Sequence, residues 1–304
     1  MNIRHVIGLL AVLLGLASLP QAALAHEICR IGTPGQTVRV SVADTGRTMM
    51  FHRPAGAAAD APLPLVFLLH GSGGNGADML KSTRLEATSD KQGFIVAAPD
   101  AGIPLERGYV WNIPGVPTIT GEIPGPEDAD DVAFFGTAID WLAEQGCIAR
   151  DQVYATGLSG GGRMTSWLGC TASDRFAAIA PVVGLRAGNP DAENPQQPDP
   201  ATCNPDHTVP VFAFAGGTDT VNPPGGGGAG YWQYSMDAAL ARWAELGECS
   251  EEPQELELSE NVTETRYNRC NKCAWVIGRV VEDRGHEWVA DNDAMWSFFS
   301  NYRR

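Results

Sequence analysis

The strand–turn–helix pattern around Ser159 constrains the fold of this chain more than any other stretch. A short apolar run at 152–156 precedes the sequence GLSGG at 157–161, and residues 160–170 have helical character. Glycines two positions before and two after the serine allow a strand and a helix to approach closely across a sharp turn. Because the same pattern also occurs in ordinary Gly-rich turns, its interpretation depends on the rest of the chain.

Apolar strand-like runs alternate with helical segments along the chain. This alternation predicts an α/β fold with a mostly parallel central sheet and helices on both faces. The runs at 65–69 and 94–98 are apolar throughout, as in strands that are covered on both sides. The predicted strands are 38–42, 48–52, 65–69, 94–98, 153–156, 177–183, 209–215 and 274–281, and the predicted helices are 131–144, 160–170, 234–246 and 291–302.

Three long loops rich in Gly and Pro, at 100–128, 185–207 and 221–230, interrupt this pattern. Loops of this length usually form functional rims, and none is long enough for a folded cap domain, so we expect an open site. Each aromatic residue on or beside these segments could serve local packing, but their recurrence favours a partly aromatic substrate cleft. The predicted cleft residues are Trp111, Tyr231, Trp232 and Trp288.

The first 25 residues have the pattern of a secretory signal. Arg4 is followed by an apolar run at 6–16 and by the small-residue sequence Ala23-Leu24-Ala25. The run is short for a retained membrane anchor, which is the alternative. We therefore predict a single domain over 26–304, secreted to the periplasm or the exterior and free of the membrane after signal removal. The formal net charge of −15 disfavours nucleic acid as a partner.

Seven cysteines are present, and export makes disulfides the default. The odd number leaves at least one unpaired, and the residues alone leave the connectivity open. The CNKC sequence at 270–273 lacks the second pair that a zinc ribbon needs, and the acidic run at 127–131 lacks the calcium-loop pattern. The run is better explained by helix capping, so we predict no metal.

Three residues that are remote in sequence are the candidate catalytic group. In serine hydrolases built on open α/β sheets, the order along the chain is serine, acid, histidine. His286 is the histidine that lies beyond the most favourable acid, Asp219, which follows the apolar run 209–215 through a short turn. The imidazole would activate Ser159, and the carboxylate would orient the imidazole. An Asx-turn role for Asp219 and a surface position for His286 are the alternatives.

Backbone N–H groups are the candidates for stabilising an oxyanion. Gly160 follows the nucleophile at a helix N-terminus, and Ser72 lies in the HGSGG sequence at 70–74 after an apolar strand. We interpret His70 as a scaffold residue of this turn rather than a base. The chemistry needs no cofactor.

The chain resembles the secreted polyhydroxybutyrate depolymerase and feruloyl esterase group of α/β-hydrolases over nearly all of residues 26–304. The resemblance rests on HGSGG at 70–74, GFIV at 93–96, DDV at 130–132 and, above all, VYATGLSGGGRM at 153–164. It implies an α/β-hydrolase fold with Ser159 as nucleophile, Asp219 as acid and His286 as base. It also implies the disulfides Cys170–Cys203 and Cys249–Cys270. We assign Cys29–Cys147 as a third pair without a motif that supports it.

The chain departs from this family next to two of the three catalytic candidates. It reads GGTD at 216–219 where members often read HGTD, and GHEWVA at 285–290 where they often read GHTWPG. The resemblance implies a serine esterase that cleaves 3-hydroxyalkanoate oligomers. Feruloylated or acetylated plant-wall carbohydrate is the alternative substrate. Cleavage of an amide or peptide bond by the same three residues is a third candidate activity. A non-catalytic polymer-binding protein on a hydrolase scaffold is the alternative from another class.

Overall fold

A ten-stranded sheet forms the centre of the protein in our computed structural model, which describes residues 29–57 and 61–304. The predicted signal at 1–25 lies outside the described residues. In chain order the strands of the sheet are β1 (Gln36–Ser41), β2 (Thr48–Arg53), β3 (Leu63–Leu69), β4 (Ile95–Pro99), β7 (Ile148–Leu158), β8 (Ala178–Val182), β9 (Val211–Gly216), β10 (Gln254–Ser259), β11 (Val262–Tyr267) and β12 (Val276–Val281). A separate hairpin joins β5 (Ile103–Pro104) to β6 (Tyr109–Val110).

The spatial order of the sheet is β1-β2-β4-β3-β7-β8-β9-β12-β11-β10. The strands from β4 to β12 in this order are parallel, and antiparallel strands flank them at both edges. Parallel neighbours place their carboxyl ends at one edge of the sheet, where ligands bind in open α/β folds. The sequence prediction of a mostly parallel α/β sheet is therefore confirmed.

Helices cover both faces of the sheet. They are α1 (Gly76–Thr83), α2 (Leu85–Gln92), α3 (Asp131–Glu144), α4 (Gly160–Thr171), α5 (Met236–Leu246) and α6 (Asn292–Phe299). Successive residues of a strand point to opposite faces, and β3 shows this directly. Phe67 packs with α3, α4 and α5 in one apolar cluster, while Leu68 packs with α1, α2 and α6 in the other. Because each face is buried, the strand is apolar throughout.

Three disulfides link distant parts of the described chain: Cys29–Cys147, Cys170–Cys203 and Cys249–Cys270. The last two pairs are the ones that the family resemblance implies, and Cys29–Cys147 is the third pair that we assigned. Cys273 is a free, exposed cysteine. Within residues 29–57 and 61–304, no helix is both long and apolar enough to cross a bilayer.

Candidate active site

Ser159 occupies a strained turn between β7 and α4. Its backbone angles, φ 55° and ψ −111°, lie in a region that residues with a side chain rarely adopt. The turn is possible because Gly161 has no side chain: a Cβ there would lie 2.3 Å from the carbonyl oxygen of Leu69. The first turn of α4 can therefore approach the end of β3 closely, and the serine hydroxyl is presented at the carboxyl edge of the sheet.

The structure brings the three candidate catalytic side chains into one hydrogen-bonded chain. His286 Nε2 lies 2.8 Å from Ser159 Oγ, and His286 Nδ1 lies 2.7 Å from Asp219 Oδ2. The Asp219 side chain is fully buried, whereas that of His286 remains 24% exposed. A carboxylate in this position fixes the imidazole with Nδ1 protonated and Nε2 free to accept the serine proton.

Two adjacent loops hold the acid and the histidine. Asp219 follows β9 and His286 follows β12, and these strands are parallel neighbours. The loops are hydrogen-bonded to each other, since Thr218 N–H donates to the Arg284 carbonyl over 2.9 Å. Asp219 Oδ1 also accepts from the N–H groups of Val221 and Asn222, at 2.8 and 2.9 Å. The carboxylate therefore forms an Asx turn with one oxygen and binds the imidazole with the other.

The loop 70–74 approaches the start of α4, as the oxyanion prediction requires. A Cβ on Gly160 would lie 2.9 Å from Ser72 N and 2.3 Å from Ser72 Oγ, so the two backbones meet where a glycine is needed. Ser72 and Gly160 are thus neighbours beside Ser159. Their role as oxyanion donors remains a prediction.

His70 is a buried scaffold residue. Its Nε2 accepts a hydrogen bond from Ala101 N at 3.0 Å, so Nδ1 carries the proton and donates to the Gly71 carbonyl at 2.8 Å. Burial lowers the pKa of this imidazole from its ordinary value. The neutral ring fixes the loop that carries Ser72.

Two of the four predicted cleft residues are wrong, because Trp111 and Trp232 are buried, each 4% exposed. The Trp111 indole stacks on Phe135 and donates to the His70 carbonyl at 2.8 Å. The Trp232 indole donates to the Pro223 carbonyl at 2.8 Å. Each indole N–H satisfies a backbone carbonyl inside the protein, so these rings pack the loops and are not available to a ligand.

The other two aromatic residues are half-buried near the candidate site. Trp288, two residues after His286, donates its indole N–H to Asn292 Oδ1. The Tyr231 ring lies over the Arg163 guanidinium, with 3.8 Å between the ring centroid and Cζ. Tyr231 also lines a cavity of about 360 Å³ together with segments 115–117 and 189–192.

The acidic run at 127–131 has two distinct roles. Asp130 caps α3 by accepting from Ala133 N, as predicted. Capping does not explain Asp131, whose buried carboxylate accepts from Gly102 N, Asn112 N and Arg47. Burial raises the pKa of this carboxyl above its ordinary value. In the described part of the chain, no group of three His, Cys, Asp or Glu side chains could hold a metal ion.

Sequence reasoning missed Arg163, which lies one helical turn after the nucleophile. The residue is 4% exposed, and Nη2 donates to Ser72 Oγ at 3.3 Å. Its Nε and Nη1 have no hydrogen-bond partner. Burial lowers the pKa of the guanidinium, although arginine stays charged in proteins. The available signal was an arginine among the small residues that open α4.

The fold and the geometry of the site define the class: this chain has the α/β-hydrolase fold. The solved acetyl xylan esterase from Aspergillus awamori superimposes with a TM-score of 0.62 at 16% identity, covering 88% of this chain and 99% of that one. A solved ferulic acid esterase superimposes with a TM-score of 0.52 at 15% identity, covering 86% and 94%. At these identities the solved structures support the fold alone.

The curated sequence relatives described next are named as esterases. Feruloyl esterase B of Piromyces equi is 26% identical over 264 residues, covering 84% of this chain and 45% of that protein. The putative esterase NocK of Nocardia uniformis subsp. tsuyamanensis is 31% identical over 186 residues, covering 60% and 48%. The chain spans about half the length of these relatives. The profile of the prolyl oligopeptidase family matches residues 82–187. The matches are therefore with proteins named as esterases and with the prolyl oligopeptidase family, and the chain shares the α/β-hydrolase fold.

Proposed function

We propose that this chain is a secreted serine carboxylesterase that acts on feruloylated or acetylated carbohydrate. The observation that carries the proposal is the hydrogen-bonded chain from Ser159 Oγ through the His286 imidazole to the Asp219 carboxylate. A serine hydroxyl is a weak nucleophile until a base takes its proton, and this arrangement supplies both the base and the group that orients it.

In the proposed reaction, His286 Nε2 accepts the Ser159 proton while Oγ attacks the ester carbonyl carbon. The carbonyl oxygen becomes an oxyanion that the N–H groups of Gly160 and Ser72 stabilise. The imidazolium then protonates the leaving alcohol, and the acyl group stays on Ser159. A water molecule that gives its proton to the same imidazole attacks the acyl-enzyme, which releases the acid and restores the serine. Asp219 stabilises the imidazolium without taking its proton.

The relatives favour carbohydrate esters over the polyester substrate that the sequence motifs first indicated. Feruloyl esterases of Piromyces equi and Neurospora crassa and acetylxylan esterase A of Aspergillus ficuum are among them. The cavity beside Tyr231 supports this choice, because a tyrosine face suits a sugar ring or an aromatic acyl group. We therefore propose feruloyl or acetyl esters first and 3-hydroxyalkanoate oligomers second.

Export is part of the proposal. The three disulfides support an oxidising compartment, since such bonds are rare in proteins that stay in the cytosol. The signal predicted for residues 1–25 supports the same conclusion from the sequence.

The test measures hydrolysis of a panel of substrates by the wild-type protein and by Ser159→Ala. Wild type should release ferulate from methyl ferulate or acetate from acetylated xylan faster than it cleaves hydroxybutyrate trimers. Ser159→Ala should lower kcat by about 10⁴-fold or more with an unchanged melting temperature. Release of amine from a peptide anilide, with no ester turnover, would favour a peptidase instead. Binding of polymer without hydrolysis by wild type would favour the non-catalytic alternative.

A further inference from the structure

We propose that Arg163 is a positioning residue for oxyanion stabilisation, an inference that rests on the proposed esterase function. The side chain holds Ser72 in place, and its charge lies unpaired beside the point where negative charge develops during ester cleavage.

Arg163 connects the nucleophile turn to the loop 70–74. Its backbone N–H donates to the Ser159 carbonyl at 2.9 Å, which fixes the residue one turn after the serine. Its side chain then reaches the other loop, where Nη2 donates to Ser72 Oγ at 3.3 Å. Because Gly160 lacks a Cβ, the Ser72 side chain fits against the helix start. Ser72 is therefore held between Gly160 and Arg163, and this contact sets where its backbone N–H points.

The guanidinium is buried without a negative partner. No carboxylate in residues 29–57 or 61–304 pairs with Arg163, and its Nε and Nη1 have no hydrogen-bond partner among these residues. Its electrostatic neighbours are the Tyr231 side chain and a second positive charge, Arg186. Two other partly buried arginines are paired with buried acids: Arg47 with Asp131, and Arg279 with Glu264. An uncompensated charge in a protein interior is unfavourable, and the Tyr231 ring face offsets only part of that cost.

An oxyanion on the substrate would supply the missing negative charge. Fixed positive groups in a site of low dielectric stabilise a transition state because they need no reorganisation when charge develops. In the resting enzyme Arg163 has no such partner, whereas in the tetrahedral intermediate one forms next to Ser159 and Gly160. Arg163 therefore favours the tetrahedral state over the bound ester.

The test compares Arg163→Met and Arg163→Lys with wild type on p-nitrophenyl acetate. The Met side chain fills similar space without charge or donors, so kcat should fall by about 10²-fold while KM stays within about threefold. The Lys variant keeps the charge and one donor and should recover part of the lost rate. Affinity for phenylboronic acid, which forms a tetrahedral adduct with the serine, should fall in parallel with kcat.

Arg53→Met is the control for a general loss of stability. Arg53 is also a buried arginine, but it lies at the end of β2 that pairs with the amino end of β4, away from the carboxyl edge that carries Ser159, and it donates to the Cys29 carbonyl at 3.4 Å. We expect Arg53→Met to lower the melting temperature while leaving kcat and the ratio of boronate affinity to KM unchanged. That ratio separates positioning of the oxyanion site from a general loss of stability.

Different results would reject the proposed esterase function and the proposed role of Arg163. A wild-type protein that cleaves no ester in the panel would reject the proposed function. An active wild type with Arg163→Met retaining kcat and boronate affinity within threefold would reject the role of Arg163 alone, as would a loss confined to KM. If Arg163→Met does not fold, Ser72→Ala decides, because it removes the oxygen that Arg163 holds and keeps the backbone N–H. Unchanged kcat and boronate affinity in that folded variant would overturn the positioning role of Arg163.

Discussion

Asp219 accepts backbone hydrogen bonds with one oxygen and binds the His286 imidazole with the other, and an amide can take over only the first task. Asn at this position keeps an oxygen that can accept from the N–H groups of Val221 and Asn222. It loses the negative charge beside His286 Nδ1, which in the proposed reaction stabilises the imidazolium. We therefore predict that Asp219→Asn lowers kcat by about 10⁴-fold and leaves the melting temperature nearly unchanged. Steady-state hydrolysis and thermal unfolding measure the two effects.

Asp219→Ala is the control, because it removes both tasks. It should be as inactive as Asp219→Asn and also less stable, since two backbone N–H groups lose their acceptor in a buried turn. Equal melting temperatures for the two variants would show that the Asx turn contributes nothing to stability.

His70 predicts a pH dependence of stability. Burial lowers its pKa in the folded state, so the unfolded chain binds a proton more readily than the folded one. The stabilising contribution of the neutral ring is complete above the ordinary histidine pKa and is lost as the pH falls toward the lowered folded value. Protonation of Nε2 would also break the hydrogen bond from Ala101 N–H. The urea midpoint of wild type should therefore fall on acidification below about pH 6.5.

His70→Gln tests whether His70 causes that dependence. A glutamine oxygen reaches about as far as Nε2 and can accept from Ala101 N–H, but it does not titrate. The variant should show a shallower fall of the urea midpoint over the same pH range. An identical pH profile for the two proteins would assign the effect to other groups.

The order of residues along the chain allowed three candidate catalytic side chains to be chosen from the sequence. Ser159, Asp219 and His286 could be chosen because each follows an apolar strand in the order that the fold allows, and the structure brings them together. Position in a loop could not reveal burial, so Trp111 and Trp232 were misjudged. Arg163 was missed because its significance depends on a contact with Ser72, 91 residues away.

At the scale of elements, two helical glycines predict opposite effects of alanine. A Cβ on Gly161 in α4 would lie 2.3 Å from the Leu69 carbonyl oxygen, whereas one on Gly136 in α3 would meet open space. Gly161→Ala should lower the free energy of unfolding by about 1–3 kcal/mol through overpacking. Gly136→Ala should raise it by about 0.5–1 kcal/mol, because alanine favours the helix. Urea unfolding of both variants checks the signs, and a stabilised Gly161→Ala would contradict the close approach of α4 to β3.

Some helices and strands could be predicted from the sequence, and others could not. The helix Asp131–Glu144 was predicted with its observed bounds, since Asp130 caps it and its apolar residues recur on one face. The hairpin of β10 and β11 was missed because β10 is almost wholly exposed and has only two apolar residues, Leu256 and Leu258. The short helices α1 and α2 were missed as well. Each has only eight residues, and α2 has only two buried ones. Elements at the periphery carry little of the apolar signal that prediction uses.

At the scale of the whole molecule, disulfide pairing depends on distances that the sequence does not contain. Residues 29 and 147 are 118 positions apart, yet they join the segment before β1 to the start of β7. The family resemblance implied the other two bonds, whereas the pairing of Cys29 with Cys147 was a guess. The bond encloses a long loop, so in the chain-entropy description it restricts the unfolded state more than the other two bonds do.

The three disulfide bonds should stabilise the protein to different extents, because they enclose loops of different length. Replacing both Cys29 and Cys147 with Ser should lower the free energy of unfolding by roughly 4–5 kcal/mol, and replacing Cys170 and Cys203 by roughly 3–4 kcal/mol, because loop-closure entropy grows slowly with loop length. The exposed Cys273 is unpaired, so Cys273→Ser should change stability by less than about 0.5 kcal/mol. Urea unfolding under non-reducing conditions measures all three. A loss for the first pair no larger than that for Cys273→Ser would mean that the link between β7 and the chain before β1 does not stabilise the fold.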